Sequence, residues 1–281
     1  MEKLKKFKNG FEYIEINNKS AQAKIALQGA HLFHYEQKGK KPLLWLSETS
    51  LFSPGKAIRG GVPICWPWFG KHKSDSSLPQ HGFARTSLWQ LLTVDDIDEH
   101  TTRVKLRLRH SDASFKLWPF RFELILLITV GSTLSLALTT INRDNKPFEI
   151  TAALHSYFRI ADISDIYIEG LDKTTYFDSL TNEDKRQNGN IFIAEEVDRI
   201  YRNVLKPLII NDQERKIHIT GTGSSSVVVW NPWKKKCTEM SDMKNDAYKT
   251  MLCLETANAL ADARIIMPGE QHELKADISC E

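Results

Sequence analysis

The sequence runs to 281 residues, 41% of them hydrophobic and 26% charged, ordinary values for a folded globular chain that exclude wholesale disorder. Thirty-eight basic against 35 acidic residues leave a formal charge of +3, and no long basic stripe exists beyond Lys3, Lys5, Lys6 and Lys8 at the start and the run Lys234, Lys235, Lys236. That balance argues against nucleic acid as a partner. The longest apolar run, Leu124 to Ile128, is too short to cross a bilayer, and the charged start lacks an apolar signal stretch, so no membrane association is expected.

Cys65, Cys237, Cys253 and Cys280 lie far apart, with no Cys-x-x-Cys and no histidine at zinc-finger spacing. Neither a metal nor a redox motif is indicated, and reduced thiols in a cytoplasmic protein fit the pattern. No glycine-rich dinucleotide turn or phosphate-binding P-loop is present, so no cofactor is expected.

In chain order, Tyr13, Ile14 and Ile16 alternate, Asn17-Asn18-Lys19-Ser20 turns, and Ala23, Ile25 and Leu27 alternate back, predicting an opening β-hairpin. His31 and His34 read as surface or edge residues. Ser87 to Val94 is a predicted strand, and Thr102 to His110 is another, with apolar residues on one face and four cations on the other. Its basic face reads as solvated. Phe122 to Val130, the Gly131-Ser132 turn and Thr133 to Ile141 form a second hairpin, followed by Phe148 to Leu154.

The second half repeats the habit at Ile166 to Glu169, Tyr176-Phe177, Leu208 to Ile210, Lys216 to Thr220, Val227 to Trp230, Met251 to Glu255, Arg264 to Met267 and Glu273 to Ile278. Residues 181–190 and 221–226 read as loops, and Ser241 to Ala247 as a short helical turn. Strands joined by turns, without helical spacing between them, predict an all-β fold: one large antiparallel β-sandwich with few short helices. No repeat, linker or composition break divides residues 1–281, so a single domain is expected.

Residues 57–85 stand out. Arg59-Gly60-Gly61-Val62-Pro63-Ile64-Cys65-Trp66-Pro67-Trp68-Phe69-Gly70 and Gln80-His81-Gly82-Phe83-Ala84-Arg85 suit neither a helix nor a plain strand. They predict an ordered, aromatic-walled loop that carries hydrogen-bond donors suited to polyhydroxylated or phosphorylated ligands. A Pro/Trp-rich plug closing one end of a sandwich is the plainer alternative.

His155, in Leu154-His155-Ser156-Tyr157-Phe158, ends an apolar strand, and its ordinary pKa suits proton transfer near neutrality. Glu255 follows four apolar residues, where partial desolvation raises carboxylate basicity. Asp198, in Asp198-Arg199-Ile200-Tyr201, is placed to accept bonds from sugar hydroxyls or to pair with its neighbouring arginine. Each has a bland reading as a packing or edge residue.

Taken together, these four segments, with Cys253-Leu254-Glu255-Thr256 as a fifth, resemble the signatures of the glucose-6-phosphate 1-epimerase (hexose-6-phosphate mutarotase) branch of the aldose 1-epimerase superfamily. The resemblance implies a galactose-mutarotase-like super-sandwich that interconverts the anomers of a hexose 6-phosphate. It implies His155 as catalytic acid, Glu255 as catalytic base, and Arg59, Gln80, His81, Arg85 and Asp198 as substrate-binding residues. The implied partner is a small sugar phosphate; the sequence leaves the oligomeric state open, with a monomer expected. Lys71, Lys73 and Asn231 receive no role. Alternatives are a non-catalytic carbohydrate-binding sandwich, a mutarotase of unphosphorylated aldoses, a polysaccharide lyase, or a glycosidase that pairs Asp198 with Glu255.

Overall fold

Alternating burial along the strands settles how the chain folds: Thr102–Arg109 buries every second residue at its start, and Phe122–Val130 and Gln271–Cys280 do so over most of their lengths. The computed structural model describes residues 3–213 and 215–281. Among them, every strand pair in the sheets is antiparallel. A four-stranded sheet opens the chain, and an eight-stranded and a nine-stranded sheet make up most of the rest. One apolar core draws on all three, with Ile14 and Ile25 from the first, Leu252 and Leu254 from the second and Leu126 and Leu136 from the third. This is the antiparallel all-β sandwich that the strand pattern predicts.

The expected hairpins form at Glu12–Asn17 with Ala21–Ala26 and at Phe122–Val130 with Leu134–Asn142. Asn18 closes the first turn, its side chain accepting from the backbone N–H groups of Ser20 and Ala21. Arg107 and Arg109, on the basic face, brace the buried carboxylate of Glu123 at 3.6 and 3.2 Å, and Arg143 joins them at 2.8 Å.

Three expectations need correcting. Residues 181–190, read as a loop, contain the strand Glu183–Arg186, whose polar side chains fit an edge position and so carry no apolar signature. The helical turn expected at Ser241 to Ala247 lies to either side of that stretch, in the helix Trp233–Glu239 and the 3₁₀ turn Ala247–Thr250. Asn231 ties these pieces together, donating to the carbonyls of Tyr248 and Met251 and accepting from the N–H of Trp233.

His31 is the third correction: it is fully buried, with Nε2 2.7 Å from the carbonyl of Gly60. Burial lowers its pKa from 6.5 to about 4. The unfolded chain therefore takes up a proton near pH 6.5 that the folded chain refuses until about pH 4. Stability is expected to fall as pH drops through that interval. A His31→Gln variant, compared by denaturant midpoint at successive pH values, is expected to lose this part of the slope.

Candidate active site

The floor of the site is one face of the eight-stranded sheet, and strand register decides which residues reach it. Cross-strand pairing aligns Tyr157 with Cys253, Cys253 with Trp230 and Trp230 with Asp198. The next row aligns Glu255 with Val228 and Val228 with Ile200. Because side chains alternate faces with a period of two, both rows point the same way.

His155 sits in the short gap between the strands Ala152–Leu154 and Tyr157–Arg159, which both pair with Met251–Asn258. Leu154 opposes Thr256 and Tyr157 opposes Cys253, so one register runs across the gap and places His155 opposite Glu255. Their side chains meet with Nδ1 3.4 Å from Oε1. His155 is 8% exposed and Glu255 1% exposed, which keeps the pair almost wholly out of water.

The loop 57–85 folds over this floor. Its backbone is pinned to the gap strand by His155 N–H donating to the Pro63 carbonyl and Tyr157 N–H donating to that of Gly61. Gly60 takes φ +108°, and a Cβ there meets the Trp45 carbonyl oxygen at 2.5 Å, so only glycine lets the chain pass this closely. Arg59 emerges just before it, with Nε donating to Asp242 at 3.1 Å and Nη1 to the Tyr157 hydroxyl at 3.0 Å. Arg85 donates from Nη2 to the Gln80 carbonyl at 2.7 Å.

His81 takes φ +64°, and its Nδ1 accepts from the N–H of Gly70 at 3.1 Å. That bond fixes the proton of the neutral ring on Nε2. Gly82 follows at φ +70°, where a Cβ falls 2.0 Å from the Trp66 carbonyl oxygen. Gly82→Ala is therefore expected to cost about 3 kcal/mol of stability. A denaturant midpoint measurement checks it.

All the side chains singled out in the sequence line one cavity of about 680 Å³: Arg59, Gln80, His81 and Arg85 from the loop, and His155, Asp198 and Glu255 from the sheet. Trp68, Phe69, Trp118 and Trp230 supply its aromatic wall. Trp66 does not belong to that wall; it lies fully buried in the core and donates to Thr140.

With this geometry in place, comparison with known proteins is decisive: the family model described as aldose 1-epimerase matches residues 12–279. The chain belongs to the aldose 1-epimerase family. A protein of Cenchrus ciliaris provisionally named glucose-6-phosphate 1-epimerase is 36% identical over 283 residues, covering 95% of this chain and 84% of its own. One of Escherichia coli K12 with the same provisional name is 35% identical over 265 residues, covering 93% and 88%. The crystal structure of a protein from Salmonella typhimurium, provisionally described as a mutarotase, superposes with a TM-score of 0.92 at 32% identity, covering 99% of this chain and 92% of that one.

Electrostatics in this epimerase-family site is set by burial. Glu255 is pushed well above the usual 4.5 by desolvation and by the nearby Asp198 charge. His155 is pushed well below the usual 6.5 by desolvation, then by His81, Arg85 and Arg59. His81 falls to about 3 through desolvation and the same two arginines. Asp198 is raised by desolvation, against a hydrogen bond from Ser179. The expected imidazolium at His155 is thus disfavoured by burial, and so is the carboxylate form of Glu255.

Sequence reasoning missed Tyr157 and Asp242, which hold Arg59, and Lys236, which lines the cavity from the helix Trp233–Glu239. Tyr157 also stacks on His155, with ring centroids 4.8 Å apart and planes 8° apart. It sat inside a quoted motif, whereas Asp242 lay in a polar stretch with no signal. Lys71 and Lys73 reach the cavity, and Lys73 pairs with Glu149 at 2.7 Å. The alternative salt bridge of Asp198 with Arg199 does not form; Arg199 lies over the Tyr176 ring at 4.9 Å. No helix among the described residues is long and apolar enough to cross a membrane.

Proposed function

We propose that this protein interconverts the α and β anomers of a hexose 6-phosphate, glucose 6-phosphate in the first instance, with His155 and Glu255 as the proton-transfer pair. The observation that carries the reading is the approach of these two groups to 3.4 Å in a cavity that also holds Arg59 and Arg85. The names of the relatives point the same way.

Anomerisation requires a base to take the proton of the C1 hydroxyl and an acid to protonate the ring oxygen. The ring opens to an aldehyde, a half turn about the adjoining bond exposes its other face, and closure reverses both transfers. Glu255 serves as base and His155 as acid. A metal or redox group has no step to perform in this scheme.

Phosphate recognition and proton placement are linked. Arg59 and Arg85 both disfavour a charged His155. A phosphate held between them offsets their charge, so the imidazolium becomes accessible when the proper substrate is bound. His81 donates from Nε2, and Gln80 and Asp198 address the hydroxyls. The fork of an arginine matches the oxygens of a phosphate, which favours this substrate class over neutral aldoses.

Exchange spectroscopy between the anomers of glucose 6-phosphate, run beside glucose and galactose, tests the proposal. Accelerated exchange for the phosphate ester is expected. Equal acceleration of the neutral sugars contradicts the phosphate assignment, and binding without acceleration leaves a sugar-binding protein.

A further inference from the structure

Behind the catalytic pair lies a third donor. Cys253 and Glu255 occupy alternate positions on the strand Met251–Asn258, so their side chains share a face, and His155 stands opposite. Their donor atoms, the imidazole nitrogen, the thiol sulfur and a carboxylate oxygen, all lie within 4.8 Å of one another. Cys253 is fully buried.

Two polar atoms here lack hydrogen-bond partners although both are shut off from water: Nδ1 of His155 and Oε2 of Glu255. The 3.4 Å between Nδ1 and Oε1 is short, yet it is not aligned as a hydrogen bond. Zinc bonds of about 2.0–2.1 Å to nitrogen and oxygen give a tetrahedral edge of about 3.3–3.4 Å. The His155–Glu255 separation is thus already that of two zinc ligands. A side-chain shift of about 1 Å brings the sulfur to its own edge length of about 3.6 Å.

We propose that His155 Nδ1, Cys253 Sγ and a Glu255 oxygen form a binding site for Zn²⁺ or a similar thiophilic divalent ion, and that the bound ion shuts the enzyme off. Nitrogen, sulfur and oxygen donors together suit zinc and cobalt and disfavour magnesium and calcium. Three protein ligands leave the fourth position to water. Ligation displaces the Cys253 thiol proton and any proton on the Glu255 carboxyl to solvent; the ion then occupies the carboxylate that must accept the substrate proton, and its charge bars protonation of the attached imidazole.

The activity readout rests on the proposed epimerase reaction; the binding readout does not. Co²⁺ added to the whole protein is expected to give a sulfur-to-metal charge-transfer band, retained in Cys280→Ser and lost in Cys253→Ala. Zn²⁺ in slight excess is expected to suppress anomer exchange reversibly by chelator, while Mg²⁺ does nothing. Cys253→Ala is expected to keep its metal-free rate and to need at least about tenfold more zinc for the same inhibition. Cys253→Ser is the second variant if the alanine form does not fold. No band in the wild-type protein, a band that follows Cys280, or a folded Cys253 variant as zinc-sensitive as wild type overturns the proposal. A normal band from a protein without exchange activity sinks the epimerase reading and leaves the metal site standing.

Discussion

Glu255→Gln is expected to slow catalysed exchange of glucose 6-phosphate anomers by a factor of about a hundred to ten thousand, the range of a single general acid or base. Glutamine keeps the size and one acceptor of the side chain but cannot take a proton. His155→Ala is expected to fall in the same range, and the double variant to be scarcely worse than either alone, because each partner is useless without the other. Stopped-flow or exchange spectroscopy reads the rates. Circular dichroism that matches wild type shows that the loss is chemical.

The same pair fixes the pH profile. The working dyad holds one proton, and its two titrations belong to the pair. Activity falls as pH drops through the lower value, where a second proton enters a histidine held below 6.5 by burial. It falls again as pH rises through the upper value, where the remaining proton leaves a carboxyl held above 4.5 by burial. A bell is expected, and removal of the base Glu255 should erase its acid limb.

The second large effect concerns Arg85. Arg85→Ala is expected to raise KM for glucose 6-phosphate roughly tenfold to a hundredfold, the value of a hydrogen bond to a charged group at about 1.5–3 kcal/mol. Neutral aldoses should be nearly unaffected in KM. Arg85 also lowers the His155 pKa, so its loss should move the acid limb of the pH profile to higher pH. Arg59 is less clean as a probe, since its removal strands both the Tyr157 hydroxyl and Asp242. Equal losses for phosphorylated and neutral sugars in Arg85→Ala contradict a phosphate clamp.

Much of this was legible in the sequence for physical reasons. Alternation of apolar residues marks half-buried strands, which is why the hairpins at Glu12–Asn17 with Ala21–Ala26 and Phe122–Val130 with Leu134–Asn142 fall where expected. A glycine pair beside arginine and proline is a local signal that needs no partner to be noticed. The pairing of His155 with Glu255 was suggested by their residue types and by the resemblance, while the register that brings them together across distant strands leaves no local mark. His31 was misread because a polar residue between strands suggests solvent, whereas its ring is spent inside on the Gly60 carbonyl that steadies the arginine loop. The Cys253 cluster escaped for a similar reason: Cys253 and Glu255 share one strand, but His155 joins them from a distant part of the chain.

A crystal structure with glucose 6-phosphate bound tests the central claim most directly. The account predicts one sugar spanning the cavity, its phosphate gripped by Arg59 and Arg85, its C1 hydroxyl on Glu255 and its ring oxygen on His155. A sugar whose anomeric carbon lies away from that pair, or whose phosphate avoids both arginines, contradicts it.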